Sequence, residues 1–170
     1  MALAVREMRL SEVGLIIDYF HGATPEHLEI LGVDPTRLLA PAVWRERFEH
    51  EYALPVERRT RVAVIWLSDE HTVGFSTCDK IIVGDSANMH LHIVERERRN
   101  QGIGAECVRR SVNIFFEMLR LKRLYCEPNA FNVAPNRAVQ KAGFKYVKTH
   151  MTVPGPFNFR QPVTCWVLER

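Results

Sequence analysis

Two glycines in the segment Arg99-Asn100-Gln101-Gly102-Ile103-Gly104-Ala105 stand between an apolar run, Met89 to Val94, and a long amphipathic stretch. A chain of this kind must pass from strand to helix through a turn with no Cβ in its way. From Gly102 to about Leu119 the residues Val108, Ser111, Val112, Phe115 and Leu119 recur on one helical face, with Glu106, Arg109, Arg110, Asn113, Glu117 and Arg120 mainly opposite. The start of such a helix carries unpaired amides and the positive end of the macrodipole. Arg99 adds a planar cation matched to phosphate oxygens. Strand, Arg-x-x-Gly-x-Gly and helix together form a cradle suited to a pyrophosphate.

Two familiar phosphate loops are excluded. A dinucleotide fold wants a third glycine where this chain has Cys107, and a nucleotide-hydrolase loop wants Gly-Lys-Ser/Thr where it has Gly104-Ala105-Glu106. The segment instead resembles the acetyl-coenzyme A signature of the GNAT N-acetyltransferases, Gln/Arg-x-x-Gly-x-Gly/Ala. A second stretch agrees in order and spacing: Asn132-Val133-Ala134-Pro135-Asn136-Arg137-Ala138, then Gly143-Phe144 entering a strand. The resemblance covers about Val62 to Phe144 and is nearest to the RimJ/RimL-like ribosomal-protein acetyltransferases.

That resemblance implies acetyl-coenzyme A as co-substrate and a single-domain α/β fold over residues 1–170, a mixed, mostly antiparallel sheet of about six or seven strands flanked by helices. It implies that the backbone of His92, Ile93 and Val94 contacts the pantetheine arm and acetyl oxygen. Arg99, Asn100, Gln101, Gly102, Ile103, Gly104 and Ala105 would wrap the pyrophosphate, Asn132 would bond the arm near the thioester, and Asn136 would approach the nucleotide end. The acceptor would be an amine, either a protein N-terminus, ribosomal or other, or a small molecule. A coenzyme A-binding sensor without turnover is the alternative.

The remaining elements read from local signals. Val5 to Met8 suits a strand, Ser11 is placed to cap a helix through about His21, and Thr24-Pro25-Glu26 starts another. A further helix is expected from Ala42 to about Tyr52. Arg61 to Leu67 is a β-branched strand, Asp69-Glu70-His71 a turn into a strand from Thr72 to Asp79, and Ala87 to Val94 the strand before the glycines. Leu124 to Glu127, Phe144 to Thr152 and Val163 to Leu168 complete the sheet, with a short helix from Pro135 to Lys141. Pro154-Gly155-Pro156 marks a bend between the last two strands.

A net charge of +3 with acids and bases interleaved, as in Glu95-Arg96-Glu97-Arg98-Arg99, gives no basis for nucleic-acid binding. The four cysteines form no Cys-x-x-Cys pair and no zinc spacing, consistent with free thiols in a reducing compartment. Arg6 and Glu7 follow the start too closely for a signal peptide, and no apolar stretch approaches a membrane span. A cytoplasmic protein, monomeric or homodimeric, is expected.

Transfer to an amine needs a base. His90 and His92 lie two apart and share a face of an unbulged strand. His90 is the leading candidate, with Glu127 at the end of the next strand second. The bland reading is that the histidines line the cleft and Glu127 is an ordinary carboxylate. A His-x-His metal site lacks a third ligand. Many GNAT enzymes carry a tyrosine seven residues after the motif asparagine; here that position is Val139.

Overall fold

A computed structural model describes residues 2–94 and 103–170. One seven-stranded sheet runs through it in the order β1-β2-β3-β4-β5-β7-β6. Its strands are β1 (Leu3–Glu7), β2 (Val62–Ser68), β3 (His71–Ile82), β4 (Ser86–Ile93), β5 (Arg123–Cys126), β6 (Lys145–Thr152) and β7 (Gln161–Glu169). Every neighbouring pair is antiparallel except β4 and β5. That parallel pair requires a crossover, which helix α4 (Ile103–Leu119) provides. Helices α1 (Gly14–His21), α2 (Pro25–Leu31) and α3 (Pro41–Ala53) precede β2, and α5 (Val133–Lys141) precedes β6.

Alternation along β2 divides the interior in two. Val62, Val64 and Trp66 pack with α4 residues such as Val108, Val112 and Phe115, whereas Ala63 and Ile65 join α1 and α3 residues including Ile16, Phe20, Trp44 and Phe48. Trp66 Nε1 donates to Ser111 Oγ at 2.8 Å, and Ser111 donates in turn to the Cys107 carbonyl, so a buried polar chain fixes α4 on the sheet. The side of the sheet under α1 to α3 holds the cavity described below.

The first helix departs from expectation. Ser11 does not cap it; a 3₁₀ turn over Leu10–Glu12 comes first, and α1 starts at Gly14. The reason is Glu12, whose carboxylate accepts the Arg9 amide at 2.8 Å and is clamped by Arg6 at 2.6 and 2.8 Å. Thr24 does cap α2, accepting from the His27 amide at 3.2 Å, and Gly32 ends it with a left-handed φ of 69°. The β2–β3 turn closes on Asp69 and Glu70, both at positive φ, so β3 already begins at His71. Among the described residues no helix is long and apolar enough to cross a membrane.

Gly32 also anchors a loop that lines the cavity described below. Its carbonyl accepts from Asn158 Nδ2 at 2.9 Å and Gln161 Nε2 at 2.8 Å, while Phe159 N donates to it at 3.2 Å and Asp34 N donates to the Phe157 carbonyl at 2.7 Å. The bend at 154–156 is thereby tied to the end of α2.

Two outcomes test this frame. The Arg6 hydrogen bond carries Glu12 down from the ordinary 4.5 to about 2, against opposing burial. A depressed carboxylate stabilises the fold above its unfolded value and loses that contribution as pH falls toward the folded one. Melting temperature should therefore drop more steeply between pH 4.5 and 2 in the wild type than in Glu12→Gln; parallel curves would contradict it. A Cβ on Gly32 would lie 1.9 Å from Gln161 Oε1. Gly32→Ala should cost about 1–3 kcal/mol from the left-handed backbone alone, with displacement of buried Gln161 in addition. An unchanged urea midpoint would refute that.

Candidate active site

β4 and β5 run together only from Ser86 to Met89 against Arg123 to Cys126. Beyond that β4 stays with β3, Ile93 facing Gly74, while the chain after β5 follows β7: Asn129 bridges Val163, Thr164 N donates to the Pro128 carbonyl, and Ala130 N donates to that of Pro162. Pro128 has no N–H to offer β4. A gap opens between the strands.

Val94 N donates to Val73 O at 2.9 Å, which fixes the alternation of the β3–β4 ladder. His92 and Val94 turn their peptide groups to β3, whereas Leu91 and Ile93 turn theirs toward the side β5 has left. Of the three residues expected to meet a pantetheine arm by their backbone, only Ile93 has that orientation, and Leu91 joins it. The ring of His92 instead packs among aromatics, 4.9 Å from Phe75 and 5.1 Å from both Phe20 and Tyr19.

His90 and Glu127 both line a cavity of about 130 Å³ on this face of the sheet. His90 Nε2 lies 3.0 Å from Asp79 Oδ1. Asp79 belongs to β3 and is a cross-strand diagonal neighbour of His90, because Thr77 faces His90 and Asp79 faces Asn88. Burial raises the Asp79 carboxyl, but the hydrogen bond and charge of His90, with Arg61 and Lys80 nearby, outweigh it and leave it below the ordinary aspartate value. Asp79 is not singled out by the sequence: its position beside His90 depends on the hairpin register, which the Gly84-Asp85 turn starts and an irregularity between Asp79 and Ile82, with Lys80 at positive φ, then shifts. Glu127 accepts from Asn88 Nδ2 at 3.2 Å, and its other oxygen lies 3.8 Å from His150 Nε2. The two candidate bases thus have separate surroundings.

Asn132 occupies the N-cap position of α5 without using its carboxamide as a cap, and it lines the same cavity. Asn136 is different. Its Nδ2 donates to the carbonyls of Asn129 and Asn132 at 3.0 and 2.8 Å, and its Oδ1 accepts from Trp166 Nε1 at 2.8 Å. The carboxamide expected to reach a nucleotide is spent inside the protein, where it braces the backbone under Asn132. Val139 is fully buried in the core.

At the start of α4, Ile103 and Ala105 are buried, leaving their peptides rather than their side chains for a ligand. Gly104 has no left-handed φ, so its value is not in turning the chain. A Cβ there would meet Ile93 Cδ1 at 3.5 Å and Ala138 Cβ at 3.7 Å, ordinary contacts, so the protein's own packing does not demand glycine. The position sits between the end of β4 and α5. Arg99, Asn100, Gln101 and Gly102 lie outside the described residues.

The other end of the cavity is apolar, walled by Phe20, Trp44, Phe48, Phe75 and Phe157. Sequence reading placed the helices that supply this wall but not the loop residue Phe157, which meets Trp44 at 4.9 Å through the Gly32 tie. Among the described residues no group of three or more His, Cys, Asp or Glu could hold a metal.

Comparison with known proteins agrees with this geometry. Residues 3–145 match the family model of the acetyltransferase (GNAT) domain. Similar solved structures include RimL, a ribosomal-protein α-N-acetyltransferase in complex with coenzyme A, at TM-score 0.76 and 12% identity over 99% of this chain and 94% of that one. A spermidine N-acetyltransferase from Vibrio cholerae with coenzyme A and spermine gives 0.73 and 15% over 98% and 95%. An aminoglycoside acetyltransferase with coenzyme A gives 0.72 and 15% over 99% and 95%. A sequence comparison with curated proteins finds no match. Sheet order, parting strands and family match converge: the chain belongs to the GNAT acetyltransferases.

Proposed function

We propose that this protein transfers the acetyl group of acetyl-coenzyme A to a primary amine by direct attack within a ternary complex. The observation that carries the reading is the parting of β4 from β5 directly beside the His90–Asp79 pair, in a chain of this family.

The residues at hand fit the co-substrate. Leu91 turns its peptide group toward the gap, Asn132 holds a carboxamide not spent on capping, and Gly104 leaves the approach to α4 clear. By resemblance, the segment Arg99 to Gly102 completes the grip on the diphosphate. When bound, the thioester supplies an electrophilic acetyl carbonyl.

The rest falls to the protein. Glu127, at the cavity wall, attracts an incoming ammonium, and the apolar walls then disfavour its charge. Asp79, held ionised, takes the Nε2 proton of His90 as a hydrogen bond. This leaves Nδ1 with the lone pair, the nitrogen that accepts the amine proton. Asp79 is a positioning residue. Cys126 lines the same cavity, but burial pushes its thiol far up, which argues against an acetyl-cysteine relay. With Val139 in place of a tyrosine, thiolate departure proceeds without a hydroxyl from that position. The buried, unpaired cysteines accord with a reducing, cytoplasmic setting.

His90→Ala should lower kcat/KM by about 10²–10⁴-fold. Asp79→Asn should lower kcat with little change in acetyl-coenzyme A affinity. Retained activity and pH dependence in both variants, with loss in Glu127→Gln, would move the base to Glu127. Gly104→Glu should fold, since an acid is favourable in a first helical turn. It should also lose the stabilisation that saturating acetyl-coenzyme A confers, about 2.7 kcal/mol at 100 times Kd. A retained thermal shift would place the co-substrate elsewhere.

A further inference from the structure

The cavity has two ends of different chemistry, and among the described residues two carboxylates line it. Asp79 is bound by His90 at 3.0 Å with Arg61 on the same wall, and Glu127, which accepts from Asn88 at 3.2 Å, is the one that meets the reacting ammonium. Among the described residues, no carboxylate of the lining remains for a second or third ammonium. A polyamine or an aminoglycoside would bring several charges into a space whose far end is made of rings. Those rings form one continuous surface: Phe20 stacks on Trp44 at 5.6 Å, Trp44 meets Phe157 at 4.9 Å, and Phe20 lies 6.5 Å from Phe75.

The distance between the two ends is set by β4. His90 and His92 share a face one two-residue step apart, about 7 Å along the strand. His92 already belongs to the aromatic cluster, in contact with Phe75 and Phe20. An amine at His90 therefore has apolar surface beginning one side-chain length away. We propose that the acceptor is a primary monoamine whose nitrogen lies two or three bonds from a single apolar group, aromatic or branched aliphatic, which enters the Phe20–Trp44–Phe157 end. The proposal rests on the acetyltransferase reading above and specifies its substrate.

The same chemistry occurs in a free arylalkylamine and in a peptide beginning with a large apolar residue. Both present one amine on a short apolar arm. A chamber of this kind discriminates by apolar contact, for which a single methylene is worth about 10–200-fold in kcat/KM. Phe157 offers the cleanest handle, because it sits on the loop at 154–158 and is only half-buried.

The test measures thiol release from acetyl-coenzyme A with five acceptors: phenethylamine, a Phe-Gly-Gly peptide, an Ala-Gly-Gly peptide, spermidine and kanamycin. The first two should exceed the last three by at least tenfold in kcat/KM, and their ratio tells a free amine from a peptide terminus. Phe157→Ala should raise KM for the favoured pair while Phe157→Leu restores it. Phe157→Asp should narrow the gap to spermidine. Preference for spermidine or kanamycin, or equal rates with Ala-Gly-Gly, would overturn this proposal and leave the acetyltransferase reading standing. No release with any of the five, in protein that binds acetyl-coenzyme A, would overturn both.

Discussion

The site depends on where β5 stops following β4. The two strands share four register positions, and then the chain beyond Cys126 gives its hydrogen bonds to β7. Pro128 makes the change irreversible locally, since it cannot donate to β4. β4 does not follow, because its other edge remains laddered to β3 as far as Ile93, and Val94 still donates to Val73. Peptide groups that a continuous sheet would consume are thus turned into a gap between two well-anchored strands.

The surroundings of the gap are held by carboxamides. Asn129 donates to Gln161, Gln161 donates to the Gly32 carbonyl, and Asn136 links the Asn129 and Asn132 carbonyls to Trp166. These bonds span α2, the loop after β5, α5 and β7. Each is short-range, but in sequence they join positions as far apart as Gly32 and Gln161. Breaking one strands a buried polar group, which costs more than a typical hydrogen bond contributes. The loop that carries Phe157 and the segment that carries Asn129 are tied by the same network, because Gln161 bonds both Gly32 and Asn129.

The fold is legible in the sequence where the signal is local. The strand before the glycines, the amphipathic α4, the Thr24 cap and the Asn132-to-Gly143 spacing all depend on neighbours within a few residues. So does the face shared by His90 and His92. What escaped was long-range. Asp79 meets His90 through a hairpin register, Phe157 reaches Trp44 through a loop tied to Gly32, and Glu12 overrides Ser11 because Arg6, on the preceding strand, grips it. Asn136 shows the complementary case: the motif points to a ligand, and the fold also engages the carboxamide internally with Asn129, Asn132 and Trp166. Gly104 is intermediate: its backbone is not left-handed and its own packing would accept a Cβ, so turning the chain is not what the position requires of it.

On the proposed reading, the edge of β4 that faces the gap receives the co-substrate. Amide hydrogen exchange along β4, followed with and without coenzyme A, tests it most directly. Coenzyme A should slow exchange at Leu91, while His90, whose amide is laddered to β3, should change little. Unaltered exchange at Leu91 under saturating coenzyme A would contradict it.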